Sequence, residues 1–256
     1  MKYYLDTEFL EGPQKTLFGY TKPTIDLISI GIVAEDGREY YAVSKDFNLK
    51  EAWDRHELLQ KYDLNDNKTN VKVHWIRENV LKPIFQEFLY EGYKKSNISM
   101  PAVNDKVFTL KNLKKFTAKH GKTNEQIARE IKEFVYNQTD EDKYHDTYKS
   151  KPEFYGYYAD YDWVVFCWLF GKMIDLPNGF PMYCIDLKQI MNEKATIHYA
   201  HLRDDLKPGV LGGEFSLDKK LKVMKGSNNY PKQTNEHSAI EDARWNKKLY
   251  EFLIKL

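Results

Sequence analysis

The sequence predicts an α/β fold, a mixed sheet flanked by helices, and three observations lead there. The chain opens on β-rich runs, first KYYL at residues 2–5 and then IDLISIGIVAEDGREYYAVS. Helical and strand patterns alternate after that, and one helical pattern closes the chain from about Ser238. Three antiparallel strands followed by alternating elements put helices on both faces of a mixed sheet.

Each element has a local reason. The run at 2–5 is a short strand ending on Asp6. Asp36-Gly37, set between two β-rich runs, is a hairpin signal. Residues 50–62 and 72–93 carry helical patterning, and Pro83 kinks or ends part of the second stretch. Between about Ser96 and Lys122 the pattern dissolves, and KVFTLKNLKKFTAKHGK has six lysines and no acids. Thr123-Asn124-Glu125-Gln126 reads as a capping box opening a helix with Ile127, Ile131, Phe134 and Val135 on one apolar face. Phe154–Tyr158 is expected as a strand, and Tyr161–Phe170 as a helix apolar almost all round and therefore buried. Phe180–Ile185 is expected as a last strand. Thr196–Glu236 is polar and Gly-containing, with a second basic group at Lys219, Lys220, Lys222 and Lys225.

With 256 residues, 42% of them apolar, the chain can bury a sizeable core, which argues against wholesale disorder. Basic and acidic residues nearly cancel, 39 against 38, so a polyanion-binding surface must come from local clusters. The 19 tyrosines suit half-buried packing and base stacking alike. Cys167 and Cys184 sit in apolar stretches and read as small core residues, compatible with a reducing cytoplasm. MKYYLDTEF meets acids too early for a signal peptide, and the longest apolar run, Trp163–Gly171, is too short to span a bilayer. The expectation is a soluble cytoplasmic protein without a membrane partner, folded as a single domain over residues 1–256.

Three stations carry candidate chemistry. Asp6 and Glu8 lie two apart on a strand, which turns both carboxylates to one side. Such close carboxylates repel, and a cation is their natural partner. Gly156-Tyr157-Tyr158-Ala159-Asp160-Tyr161-Asp162 joins a strand to the apolar helix, where one Asp can cap and the other can work. In His237-Ser238-Ala239-Ile240-Glu241-Asp242, Ser238 and Glu241 form a capping box; His237 falls in the loop before the helix and Asp242 on its first turn. Taken singly, each piece reads as a cap or a solvated acid. Together they make an ordered set of acids with a histidine near the last.

That set resembles the DEDDh 3′→5′ exonucleases, whose RNase H-like fold carries D-x-E, an aromatic-Asp pair and H-x-x-x-x-D. Here the matching residues are Asp6 and Glu8, Tyr161-Asp162, and His237 with Asp242. The chain is similar in particular to the RNase AS-like exoribonucleases, through DTEFL, IDLISIGIVAEDGREYYAVS, HWIRENVLKPI, YADYDWVVFCWLFG and HSAIEDARWNKKLYEFL. Tyr158 departs from the superfamily's usual Asn, and Tyr161 from its usual Phe. Extra segments stand around Glu11–Pro23, over about 85–122, and before His237.

The resemblance implies a two-metal hydrolase in which Asp6, Glu8, Asp162 and Asp242 hold Mg²⁺ or Mn²⁺, ions that suit hard carboxylate oxygens. It makes His237 the general base. It implies single-stranded RNA as substrate, cut from the 3′ end to nucleoside 5′-monophosphates, with adenylate ends preferred, and a homodimer. DNA is the alternative polymer, and a silent nucleic-acid-binding nuclease fold the alternative class. Phe9 is a candidate for stacking on the terminal base, against a packing role. Lys114 and Lys115 are candidates for gripping RNA, against a solvated face.

Overall fold

A computed structural model describes residues 1–62, 68–96, 104, 106–136, 151–205 and 216–256. Strand β1 covers Lys2–Gly12, and a small ribbon pairs β2 (Lys15–Thr16) with β3 (Gly19–Tyr20). Strand β4 (Thr24–Ala34) and β5 (Glu39–Val43) form the expected hairpin, with Gly37 at φ 92°, a left-handed backbone that glycine adopts without steric cost. Helix α1 (Leu49–Asp54) follows, then the antiparallel ribbon β6 (Glu57–Tyr62) and β7 (Lys68–Val73). The helices α2 (Lys82–Ser96), α3 (Leu110–His120) and α4 (Asn124–Tyr136) precede β8 (Glu153–Gly156). After α5 (Asp160–Phe170) come β9 (Ile185–Asp186), α6 (Leu187–Asp205), α7 (Leu217–Lys225) and α8 (Ala239–Leu253).

The result is a five-stranded mixed sheet in the order β5-β4-β1-β8-β9, with flanking helices, consistent with an RNase H-like fold. Strand β8 runs parallel to β1, with Tyr4 opposite Tyr155, and β9 runs parallel to β8. The Glu35 N–H donates to the Lys2 carbonyl at 2.8 Å, and Gln14 reaches Asp26 at 2.5 Å, so β4 runs against β1. No helix among the described residues is long and apolar enough to cross a membrane.

Two compact units divide the chain. One holds Met1–Asp6, Gly31–Tyr40 and Lys132–Leu256, and its core gathers Tyr4, Tyr155, Leu187, Met191, Leu249 and Leu253. The other holds Thr7–Ile30 and Tyr41–Ile131, with a core around Leu10, Ile28, Val80, Leu81, Phe85 and Leu113.

Several expectations are corrected. Strand β1 runs on past Asp6 to Gly12, because a central strand pairs through its backbone on both sides, whatever its side chains. Of residues 50–62 only the first part is helical. Asn48 caps α1 by accepting the Glu51 N–H at 3.1 Å, and cross-strand pairing with 68–73 takes the rest. In the 72–93 stretch, a π-helical turn at Arg77–Leu81 precedes α2, and the helix runs through Pro83. A widened turn accommodates a residue that has no N–H for the carbonyl four positions back.

The lysine segment is an amphipathic helix. Thr109 caps α3 by accepting from the Asn112 N–H at 3.2 Å, Leu113 and Thr117 are buried, and Lys111, Lys114, Lys115 and Lys119 face outward. Expected strands at Phe154–Tyr158 and Phe180–Ile185 shrink to Glu153–Gly156 and Ile185–Asp186. Helix α5 buries Trp163, Val165, Phe166 and Cys167 but exposes Tyr161, Val164 and Trp168, so it is buried on one side only. The stretch 196–236 is largely helical where described, and all four of its grouped lysines lie on α7. Residues 97–103 and 206–215 fall outside the described residues.

Candidate metal centre

Asp6 and Glu8 stand on β1 on either side of buried Thr7, and strand alternation turns them to one side. Helix α8 is brought to this strand by two contacts that no sequence pattern announces. The Asn246 amide, almost fully buried, donates to the Leu5 carbonyl at 2.9 Å, one residue before Asp6. At Gly31 on β4, a Cβ would fall 2.3 Å from the Ala239 carbonyl oxygen, so only glycine lets the start of α8 come this close. Asp242 lies one helical turn before Asn246 and hence on the same face.

Carboxylate oxygens of Asp6, Glu8 and Asp242 all lie within 4.8 Å of one another, and Glu8 and Asp242 are buried. At that distance two ionised carboxylates repel by roughly 3 kcal/mol at an effective dielectric constant of about 20. Three hard oxygen donors at this spacing fit a divalent cation such as Mg²⁺ or Mn²⁺, which turns the repulsion into attraction.

Burial is the largest influence on Asp242 and holds its carboxyl above the usual range. Two hydrogen bonds oppose it. The Gln233 amide donates to Asp242 Oδ1 at 2.6 Å, and the His237 backbone N–H donates to Oδ2 at 2.9 Å. His237 has φ 69° and Asn235 φ 54°, both left-handed without being glycine. Such residues cost about 1–2 kcal/mol each. Ser238 takes the expected N-cap position of α8, but its side chain makes no cap hydrogen bond, and Glu241 pairs with Arg244 instead. The capping box read from the sequence is therefore not closed.

Asp162 is 7% exposed in the first turn of α5, whereas Asp160 is exposed. Asp162 is not one of the three grouped carboxylates. Its charge adds to burial in pushing the Cys184 thiol up. Neither aspartate is the N-cap of α5. Ala159 holds that position, since Asp160 is already helical, and the Ala159 N–H donates to Asp186 at 3.2 Å. Gly156 is required at this turn, because a Cβ there would meet that of Ala159 at 2.8 Å. Phe9 is half-buried on β1, and Lys114 and Lys115 are exposed on α3. Sequence reasoning missed Gln233, Asn246, Gly31 and Asp186. Of these only Gly31 could have been flagged, as a close approach inside a strand.

The chain is 27% identical over 195 residues to a protein named 3'-5' exoribonuclease in Mycobacterium tuberculosis, in the CDC 1551 / Oshkosh and H37Rv strains alike. The aligned part covers 76% of this chain and 76% of each relative. No family model matches the chain.

Proposed function

We propose that this protein is a metal-dependent 3′→5′ exoribonuclease of the DEDDh type. It would shorten single-stranded RNA and release nucleoside 5′-monophosphates. The observation that carries the reading is the convergence of Asp6, Glu8 and Asp242, with the His237 backbone tied to the last of them. The likeness to proteins named 3'-5' exoribonuclease favours RNA over DNA.

In this reading Asp6, Glu8, Asp162 and Asp242 hold Mg²⁺ or Mn²⁺. When bound, such ions stabilise charge on the attacking and leaving oxygens of phosphodiester hydrolysis. His237 takes a proton from the attacking water, a task suited to imidazole at neutral pH. Its left-handed backbone sends the N–H to Asp242, which fixes where the residue enters the site. Phe9 offers a face to the terminal base, and Lys114 and Lys115 offer charge to the RNA backbone.

The test uses 5′-labelled RNA and DNA oligomers, with and without a 3′-phosphate block, in Mg²⁺ or Mn²⁺. A ladder from RNA that vanishes with the block is expected. Internal cuts in a blocked substrate would sink the exonuclease reading, and faster digestion of DNA would sink the RNA part alone.

A further inference from the structure

We infer that Gln233 is a positioning residue: its side-chain amide, with the His237 backbone N–H, sets the orientation of the Asp242 carboxylate and locks the His237 loop to it. The inference rests on reading Asp242 as a metal ligand.

Both oxygens of Asp242 accept from the same short loop, Oδ1 from Gln233 at 2.6 Å and Oδ2 from His237 at 2.9 Å. A carboxylate has about four lone-pair sites, so two donors leave acceptor capacity on each oxygen for a cation. They also remove the rotational freedom of the side chain. The chemistry of the donor matters. A lysine or arginine at position 233 would neutralise Asp242 and compete with a divalent ion. A glutamine amide carries no charge at any pH, so it orients the carboxylate and leaves its full charge to the metal.

The loop is held at a third point. Buried Trp245 donates its indole N–H to the Pro231 carbonyl at 3.0 Å. Trp245 and Asp242 are three residues apart and share a face of α8. The segment from Pro231 to His237 is thus fastened to one helix face at its start, near its middle and at its end. That fastening sustains the two left-handed residues, Asn235 and His237, which a loose loop would relax. The proposed base and the proposed ligand therefore share one frame, and the Gln233 side chain bonds the ligand directly.

The experiment titrates Mn²⁺ into the full metal-free chain by electron paramagnetic resonance, for wild type, Gln233→Met and Gln233→Asn. Met matches the length of Gln without a donor; Asn keeps the amide on a shorter arm. Loss of such an outer partner typically lowers metal affinity by about 10–100-fold. That loss is expected for Gln233→Met with an unchanged metal-free Tm, together with a lower kcat and an unchanged KM for RNA. Partial recovery is expected in Gln233→Asn. Unchanged Mn²⁺ affinity in both variants would overturn the inference, and so would a metal-free Tm that falls in step with affinity in both. A wild-type chain that takes up no Mn²⁺, or an Asp242→Ala variant that binds it normally, would overturn the metal-site reading instead.

Discussion

The helices α4 and α8 begin with the same kind of signature, Thr123-x-x-Gln126 and Ser238-x-x-Glu241, and bond differently. At α4 the box closes: the Gln126 N–H donates to the Thr123 hydroxyl at 3.1 Å, and the Thr123 N–H donates to the Gln126 side chain at 2.9 Å. At α8 Glu241 turns to Arg244, and two donors of the entering loop, the Gln233 amide and the His237 N–H, go to Asp242. The first terminus spends its local bonds on helix stability. The second spends them on aiming one carboxylate, and accepts two left-handed residues to do so. Mutations at α4 should therefore act on stability, and mutations at α8 on catalysis and metal binding.

The largest effects belong to the proposed ligands. Replacing Asp6 or Asp162 by Ala should cut RNA hydrolysis by on the order of 10³-fold or more, with circular dichroism and Tm retained; for Asp6, removing one of several repelling carboxylates costs little stability. An active Asp162→Ala beside a dead Asp160→Ala would reassign the second station. His237→Ala should lower kcat by on the order of 10²–10⁴-fold while Mn²⁺ uptake persists. An unchanged kcat in the variant would take His237 out of the mechanism.

Asp242 gives a smaller effect, on stability. Its carboxyl is raised in the fold by burial. As pH rises from the ordinary Asp value, about 3.9, the unfolded chain loses this proton before the folded chain does. Over that window the folded state binds more protons, so this group removes stability as pH rises, and the loss is complete above the raised folded value. The Tm difference between metal-free Asp242→Asn and wild type should move in favour of the variant as pH climbs. Saturating Mn²⁺ should raise the wild-type Tm far more than that of the variant. A pH-independent difference would contradict the assignment.

The smallest effects test the capping contrast itself. Thr123→Ala should cost about 1 kcal/mol, a Tm shift of roughly 2–4 °C in a chain of this size, with kcat unchanged. Glu241→Ala should cost below about 0.5 kcal/mol, because it removes an ion pair at a partly exposed site rather than a closed box. Equal losses from the two would mean that the boxes are equivalent after all.

What nearest neighbours decide can be read from the chain. The β4–β5 hairpin follows from Asp36-Gly37 between two β-rich runs, the start of α4 from its box, and the shared side of Asp6 and Glu8 from strand alternation. Each needs only a few adjacent residues to be in register. The lysine-rich segment shows the limit of such reading. Its helical spacing of Leu110, Leu113 and Phe116 was present but diluted by lysines, and burial of Leu113 in a core was needed to make it a helix. Long-range packing makes residues 57–62 pair as a strand, lets the start of α8 close on Gly31, and brings Asn246 to Leu5 across 241 positions of chain. It also turns Gln233 to Asp242. These are contacts between single polar atoms or a missing Cβ and a distant backbone. They leave no periodicity behind, because each is fixed by where whole elements pack rather than by the residues on either side of it.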